Sequence, residues 1–247
     1  MKFEHSEVFN FEGALRGMRN PLASWHKSDS EYKRWCLSLG VDEEPHYCTN
    51  CHFDQCMMSE PEFVIGPNDM DLARRLIVGG SEHRKFLRQI MVSVDITAPL
   101  YWWKEFDTYK VGTTANSTST MHKLASTPIT RECFEMDDYQ DLPIETLYYN
   151  EDSEEPFYDY HTDGFIDELV ESLEQLRAKY NETKDKRYWK ELIRWLPNGW
   201  LQTRTVTMNY ENLRSMYHQR ENHKLVEWHT FCDWIATLPY AKEFIID

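Results

Sequence analysis

The chain has 247 residues and a formal charge of -15, from 27 Lys and Arg against 42 Asp and Glu. Its 41% hydrophobic and 14% aromatic content is enough for a buried core, and 9 Gly and 10 Pro exclude a fibrous or disordered chain. The acidic excess repels a phosphate backbone, which excludes a general binder of nucleic acid polymers but not a local basic pocket for one nucleotide. No run of about 18 apolar residues marks a membrane span. The opening MKFEHSEVFN lacks the basic and apolar runs of a secretory leader. The expected compartment is the cytoplasm, with reduced cysteines.

The first distinctive feature along the chain is a cysteine set. Cys36, Cys48, Cys51 and Cys56 fall in a stretch at about residues 22–62, with His46 and His52 nearby. Thiolates two residues apart reach one metal through a tight turn, so the set is a candidate structural zinc site. The alternative is ordinary reduced thiols. Cys133 and Cys232 stand alone and are expected in the core. Residues 69–80 put Leu72, Leu76 and Ile77 on one helical face, which Gly79-Gly80 ends. Residues 89–97 are β-branched and half alternating, hence a strand. The aromatic block APLYWWKEFDTY over 98–109 reads as a buried helix with Pro99 in its first turn. The run VGTTANSTSTMH over 111–122 crowds small hydroxyls and backbone N–H groups into one turn. Such a turn suits a phosphate or flavin diphosphate, and equally a solvated loop.

Residues 126–161 are acidic and aromatic with little periodicity. Residues 162–181 give the clearest helix, with Phe165, Ile166, Leu169, Val170, Leu173, Leu176 and Tyr180 on one face. A second helix over 186–195 is ended by Pro197. Residues 201–208 alternate as a strand. Asn209 is a strong N-cap for a helix running to about 222, with Glu211 in its first turn. A last amphipathic helix covers 225–238. Arg194, Arg204, Arg214, Arg220 and His223 form a basic set in an acidic chain. Arg220 lies eleven residues beyond Asn209, about three turns, and so shares its face. An arginine there offers paired charge-assisted bonds to a planar anion, or an ordinary surface ion pair.

Leu196-Pro197, Thr203, Asn209 and Arg220, in this order and spacing, resemble the C-terminal motif of flavin-dependent thymidylate synthases, the ThyX family. The segment from Ala98-Pro99 to Lys123-Leu124 resembles, without a gap, the family's signature segment. Gly80-Ser81-Glu82-His83 falls where the family has a His heading its first sheet strand, and ALRGMR at 14–19 resembles its N-terminal Ala-Val-Arg segment. The resemblance implies an α+β fold, a mixed or antiparallel sheet flanked by helices, with the cysteine-containing insertion added near the N-terminus. One catalytic domain would span 1–247. It further implies FAD held at the subunit junctions of a homotetramer, with NADPH and methylenetetrahydrofolate as co-substrates. The implied reaction is reductive methylation of dUMP, or a related nucleotide, to dTMP. In that family the flavin carries hydride and the methylene group, so no enzyme nucleophile is needed, and none stands in a nucleophile motif here.

Carried over residue by residue, Arg220 matches the arginine that polarises the uracil, stabilising negative charge on N3 and its neighbouring carbonyls. Asn209 matches a flavin-contacting Asn, and Ser215 falls near another flavin contact. His83, Thr108, Tyr109, Lys110 and Asn116 also fall at cofactor positions. Ser117, Thr118, Ser119 and Thr120 fall on the loop holding the nucleotide phosphate. Glu105 stands where the family has a Gln facing substrate, and Arg194 lies one residue from a substrate-binding arginine. The family's Arg-His-Arg reads Thr108-Tyr109-Lys110, and its closing Ser and Arg fall on Thr118 and Thr120. Each charge-assisted bond so lost is worth about 1.5–3 kcal/mol. Either Lys104, Lys123 or His122 takes over, or the ligand differs. The alternatives are another pyrimidine nucleotide, since the Glu105 carboxylate accepts but does not donate, or a catalytically silent nucleotide-binding homologue.

Overall fold

The computed structural model describes residues 1–34, 60–144 and 160–247. Cys36, Cys48, Cys51 and Cys56 lie outside the described residues, as does most of the stretch around them. Among the described residues no group of three or more His, Cys, Asp and Glu could hold a metal ion. No helix there is long and apolar enough to cross a membrane.

The elements run β1 (Lys2–Phe9), α1 (Phe11–Arg19), β2 (Glu31–Lys33), β3 (Glu62–Val64), α2 (Pro67–Val78), β4 (Met91–Pro99), α3 (Leu100–Phe106), β5 (Thr114–Ser117), α4 (Thr120–Lys123), β6 (Pro143–Ile144), β7 (Tyr160–His161), α5 (Thr162–Thr183), α6 (Lys186–Arg194), β8 (Leu201–Asn209), α7 (Tyr210–Arg220) and α8 (Val226–Ala236). A four-stranded sheet has the order β1-β4-β8-β5, and β2-β3 and β6-β7 form two antiparallel ribbons. In the main sheet Thr97 bonds Thr203 and Asp95 bonds Thr205, so position falls along β4 as it rises along β8 and the pair is antiparallel. Alternation explains β4: Val92, Val94, Ile96 and Ala98 are buried, while Ser93, Asp95 and Thr97 occupy the other face. The polar strand β1 (KFEHSEVF) lacks this pattern. Its charged, exposed side chains suit an edge, where they discourage further pairing.

Two compact units emerge: Met1–Ser6 with Val94–Val206, and Glu7–Ser93 with Thr207–Asp247. In the first, Leu124, Ile129, Phe134, Leu173 and Leu192 form a core under α5 and α6. The apolar face expected of α5 exists, but only Leu173 is fully buried, and Phe165 is exposed. Half-buried Leu169, Val170 and Leu176 border the core, so only the middle of that face is sealed. Cys133 packs at the edge of this core, as a small apolar residue does. The aromatic block departs from expectation. Pro99 ends β4 and caps the helix rather than entering it, and the helix stops at Phe106, not at 109. Proline lacks an N–H to donate, so it is tolerated at this strand end. Trp102, Trp103 and Phe106 are buried together, with Trp102 stacked on Phe106 at 5.1 Å.

In the second unit, α7 packs on α8, on the turn Lys85–Gln89 and on the C-terminal helical turn Lys242–Ile246. Leu213 and Met216 of α7 and Trp228, Phe231 and Ile235 of α8 are buried there. The α2 helix begins two residues earlier than expected, with Pro67 in its first turn, where a missing N–H costs nothing. Gly80 has φ +95°, the left-handed conformation that ends the helix without a Cβ clash. Beneath these elements Arg19 and Asp69 form an ion pair only 4% and 0% exposed. Burial pushes the Cys232 thiol up to about 11, so it is neutral at pH 7 and sits in the core as expected.

Candidate functional site

The first unit carries Glu105, Thr108 to Lys110, Asn116 to Thr120, and Arg194. The start of α3 is held by the turn at 197–200: Leu100 N donates to Trp200 O and Tyr101 N to Asn198 O, both at 3.0 Å. Lys104 Nζ reaches Asn198 Oδ1 at 2.7 Å. These bonds fix the face on which half-buried Glu105 stands. After Phe106 the chain turns, with the Thr108 hydroxyl donating to Glu105 O at 2.7 Å and Tyr109 N to Phe106 O at 2.9 Å. The Thr113 hydroxyl donates to Tyr109 O, and Gly112 at φ +80° lets the backbone reverse into β5. Thr108 and Lys110 are exposed and Tyr109 is half-buried.

The hydroxyl-rich run becomes the edge strand β5 and the short turn α4. Asn116, Ser117 and Thr118 are exposed, and Ser119 and Thr120 are half-buried. Ser119 caps α4 by accepting from His122 N at 3.2 Å. Thr118 is pinned from both sides: its N–H donates to Thr203 O at 2.9 Å, and its carbonyl accepts from Gln202 Nε2 at 2.8 Å. Gln202 Oε1 in turn accepts from Arg204 Nε at 3.0 Å, while Arg204 Nη1 reaches Asp107 Oδ1 at 2.7 Å. The guanidinium lies 4.2 Å above the Trp103 ring. Arg204 and Gln202 thus tie the turn after α3 to the loop at 116–120, a link no sequence motif announced. Its one signal is a charged residue on the inward-alternating face of a strand. Arg194 is not drawn into this network. It is exposed at the end of α6 and donates to Glu191 within its own helix.

The second unit carries His83, Asn209, Ser215 and Arg220. Asn209 caps α7 with a reciprocal pair: its Oδ1 accepts from Asn212 N at 2.9 Å, and Asn212 Oδ1 accepts from Asn209 N at 3.3 Å. The side-chain carbonyl oxygen is committed to the helix cap. Asn209→Ala is expected to cost about 1 kcal/mol, read from urea denaturation. His83 is exposed and lines a 320 Å3 cavity with Met18, Leu72, Leu76 and Phe86. The residue after it, Arg84, makes a fork with the Glu211 carboxylate at 2.9–3.1 Å. That pair joins the His83 turn to the first turn of α7. Burial, and then the neighbouring Arg84 charge, push the Arg214 guanidinium below its ordinary value. Ser215 is exposed and accepts from Gln219 Nε2 at 2.9 Å. Arg220 lies with its guanidinium carbon 4.5 Å from the Trp228 ring centre.

The members of the basic set each meet a neighbour within their own unit. Arg194 closes on Glu191, Arg204 on Asp107, Arg214 on Ile245 O and Arg220 on Trp228, while His223 Nδ1 accepts from Leu225 N. What remains is chemically apt for a flavin nucleotide in parts. The 116–120 run offers hydroxyls and backbone groups at an exposed edge, with Lys104 and Lys110 nearby in sequence. On α7, Asn209 and Arg220 share a face but stand about 16 Å apart along the axis. A single ring cannot touch both, whereas an extended cofactor with a substrate beside it can.

No family model and no curated protein matches the sequence. Solved structures do match. The flavin-dependent thymidylate synthase ThyX from Helicobacter pylori, complexed with FAD and dUMP, aligns with a TM-score of 0.60 over 99% of this chain and 98% of that one, at 15% identity. A second ThyX structure from the same organism, with FAD and dUMP, gives 0.58 over 100% and 98%, at 16% identity. The chain therefore has a ThyX-like fold.

Proposed function

We propose that this protein is a flavin-dependent thymidylate synthase-like enzyme acting as one catalytic domain. The carrying observation is the end-to-end fold likeness to enzymes holding FAD and dUMP, with no large part of either chain left over. The overall reaction converts dUMP, methylenetetrahydrofolate, NADPH and a proton to dTMP, tetrahydrofolate and NADP+. A bound flavin supplies the hydride store between NADPH and the one-carbon unit. In this reading His83, Asn209 and Ser215, with Thr108 to Lys110 and Asn116, hold the flavin of a homotetramer. Ser117 to Thr120 bind the nucleotide phosphate through hydroxyls and backbone groups, aided by Arg194. Arg220 donates to the uracil edge and stabilises the negative charge that makes C5 nucleophilic. The Trp228 ring, 4.5 Å from the guanidinium carbon, helps hold the group in place through a cation–π contact.

The purified protein is expected to be yellow, or to become so on reconstitution with FAD, and dUMP is expected to speed reoxidation of the reduced flavin. A colourless protein that takes up no FAD overturns the reading. A second reading is favoured by Glu105, half-buried on α3 where a carboxylate accepts hydrogen bonds but does not donate. It would suit an amino-pyrimidine nucleotide. Tighter binding of dCMP than dUMP in calorimetry selects it, and equal or weaker binding removes it.

A further inference from the structure

Gln202 on β8 is polar yet only 8% exposed. A buried amide needs partners at both ends, and the amide alone does not decide which end faces which partner. Arg204 decides it, two residues on and so on the same face of β8. Its guanidinium only donates, so the amide atom 3.0 Å from Arg204 Nε is the oxygen. The NH2 end therefore points at the Thr118 carbonyl, 2.8 Å away, which only accepts. Arg204 is itself held: Asp107 Oδ1 accepts from its Nη1 at 2.7 Å, and its guanidinium carbon lies 4.2 Å from the Trp103 ring centre. Trp103 is in turn fixed by Nε1 donating to Gln202 O at 2.9 Å. The circuit closes on Gln202 and lies within the first unit.

What the amide grips is the end of the edge strand β5. That strand is four residues long and exposed throughout, and α4 beyond it is also only four residues. Thr118, between them, is exposed, so little packing fixes it. Its N–H donates to Thr203 O at 2.9 Å, and its carbonyl, past the end of the strand, is gripped by the Gln202 side chain. Because the peptide is planar and trans, fixing that carbonyl also turns the Ser119 N–H to the opposite side. One side chain thus sets the direction of one backbone donor in the 117–120 run. The run also offers the uncharged hydroxyls of Ser117, Thr118, Ser119 and Thr120. A neutral donor works only at hydrogen-bond distance and angle, whereas an arginine also attracts at longer range. A loop with threonines for arginine therefore depends on its geometry being held.

We propose that Gln202 is a positioning residue for the nucleotide phosphate, holding the 118–119 peptide where its N–H and the neighbouring hydroxyls converge on the anion. The proposal rests on the reading of 117–120 as the phosphate loop. The test titrates dUMP into the FAD-reconstituted protein by calorimetry and records the phosphorus NMR resonance of the bound nucleotide at saturation. Gln202→Met keeps the volume but offers the Thr118 carbonyl nothing. Gln202→Glu still accepts from Arg204 but cannot donate to that carbonyl. Each is expected to weaken dUMP at least about fivefold, as loss of a bond to a charged group implies. Each is also expected to move the bound phosphorus resonance, which a loss of stability alone leaves in place. Either variant carries the test if the other fails to fold. Wild-type protein that binds no dUMP overturns the functional reading and this proposal together. Wild-type binding that a folded variant leaves within about fivefold, or weakens with the phosphorus resonance unmoved, overturns this proposal alone.

Discussion

Asp69→Ala is expected to destabilise the protein by about 3–5 kcal/mol at pH 7, measured by urea denaturation. Asp69 has no exposed surface and Arg19 almost none. One carboxylate oxygen accepts from Arg19 Nε, and the other from the hydroxyls of Ser28 and Ser30 and from the N–H groups of Asp29 at 3.3 Å and Ser30 at 3.2 Å. Removing it strands a buried guanidinium and four donors together. Most of the loss measures that stranding, not the net worth of the pair, so the double variant Arg19→Met/Asp69→Leu is expected to recover most of it. A single-variant cost below 1 kcal/mol would contradict the burial. The pH dependence has a definite sign. Burial opposes ionisation, but the Ser28, Ser30 and Arg19 bonds outweigh it and hold the carboxyl below its ordinary 3.8. A depressed folded pKa contributes stability that is present above 3.8 and is lost as pH falls through the lower folded value. Wild-type stability is thus expected to decline in acid below about pH 4, and Asp69→Ala to lack that component of the slope.

Arg220→Ala is expected to lower kcat for dTMP formation by about 10²–10³-fold, the usual effect of removing one donor aimed at developing charge. Arg220→Lys keeps the charge but not the fork, and is expected to restore only part of the rate. The loss should come without unfolding. A cation–π contact such as Arg220 over the buried Trp228 contributes about 2 kcal/mol, less than the stability of a typical folded domain. The same denaturation curves separate the two effects. A variant within threefold of wild type in kcat would remove Arg220 from the chemistry while leaving the fold untouched.

The local geometry at some candidate residues was readable because they sit at element boundaries with strong local chemistry. Asn209 announced itself as an N-cap, and the structure adds only its reciprocal partner Asn212. Ser119 likewise caps a turn inside the hydroxyl-rich run. Gln202, Arg204 and the Arg84–Glu211 fork were not readable. Arg204 meets Asp107 across 97 positions, and Arg84 meets Glu211 across 127. No local period encodes such a pairing, and an arginine in an acidic chain reads as surface until a strand turns it inward. The neighbours of the C-terminal arginines were not readable either: Arg194 meets Glu191, Arg204 meets Asp107 and Arg214 meets Ile245 O.

Taken by itself, the amino-acid order determined the main elements whose burial is periodic. The α5, α6, α7 and α8 helices and the β4 and β8 strands follow because spacing of 3.6 or 2 decides which side chains can leave water together. Their ends follow from residues that cannot continue, such as Pro197 after α6 and Gly80 after α2. Tertiary structure alone decided the rest. It made the polar β1 a sheet edge, because pairing satisfies its backbone whatever its side chains are. It closed the α3 helix at Phe106, because the turn that follows hydrogen-bonds to that helix's own last carbonyls. It buried Arg19 against Asp69, fifty positions away, and left one guanidinium nitrogen without an acceptor among the described residues. Whether a charge is met, stranded or left for a ligand depends on which distant atoms arrive beside it, and only the folded chain brings them there.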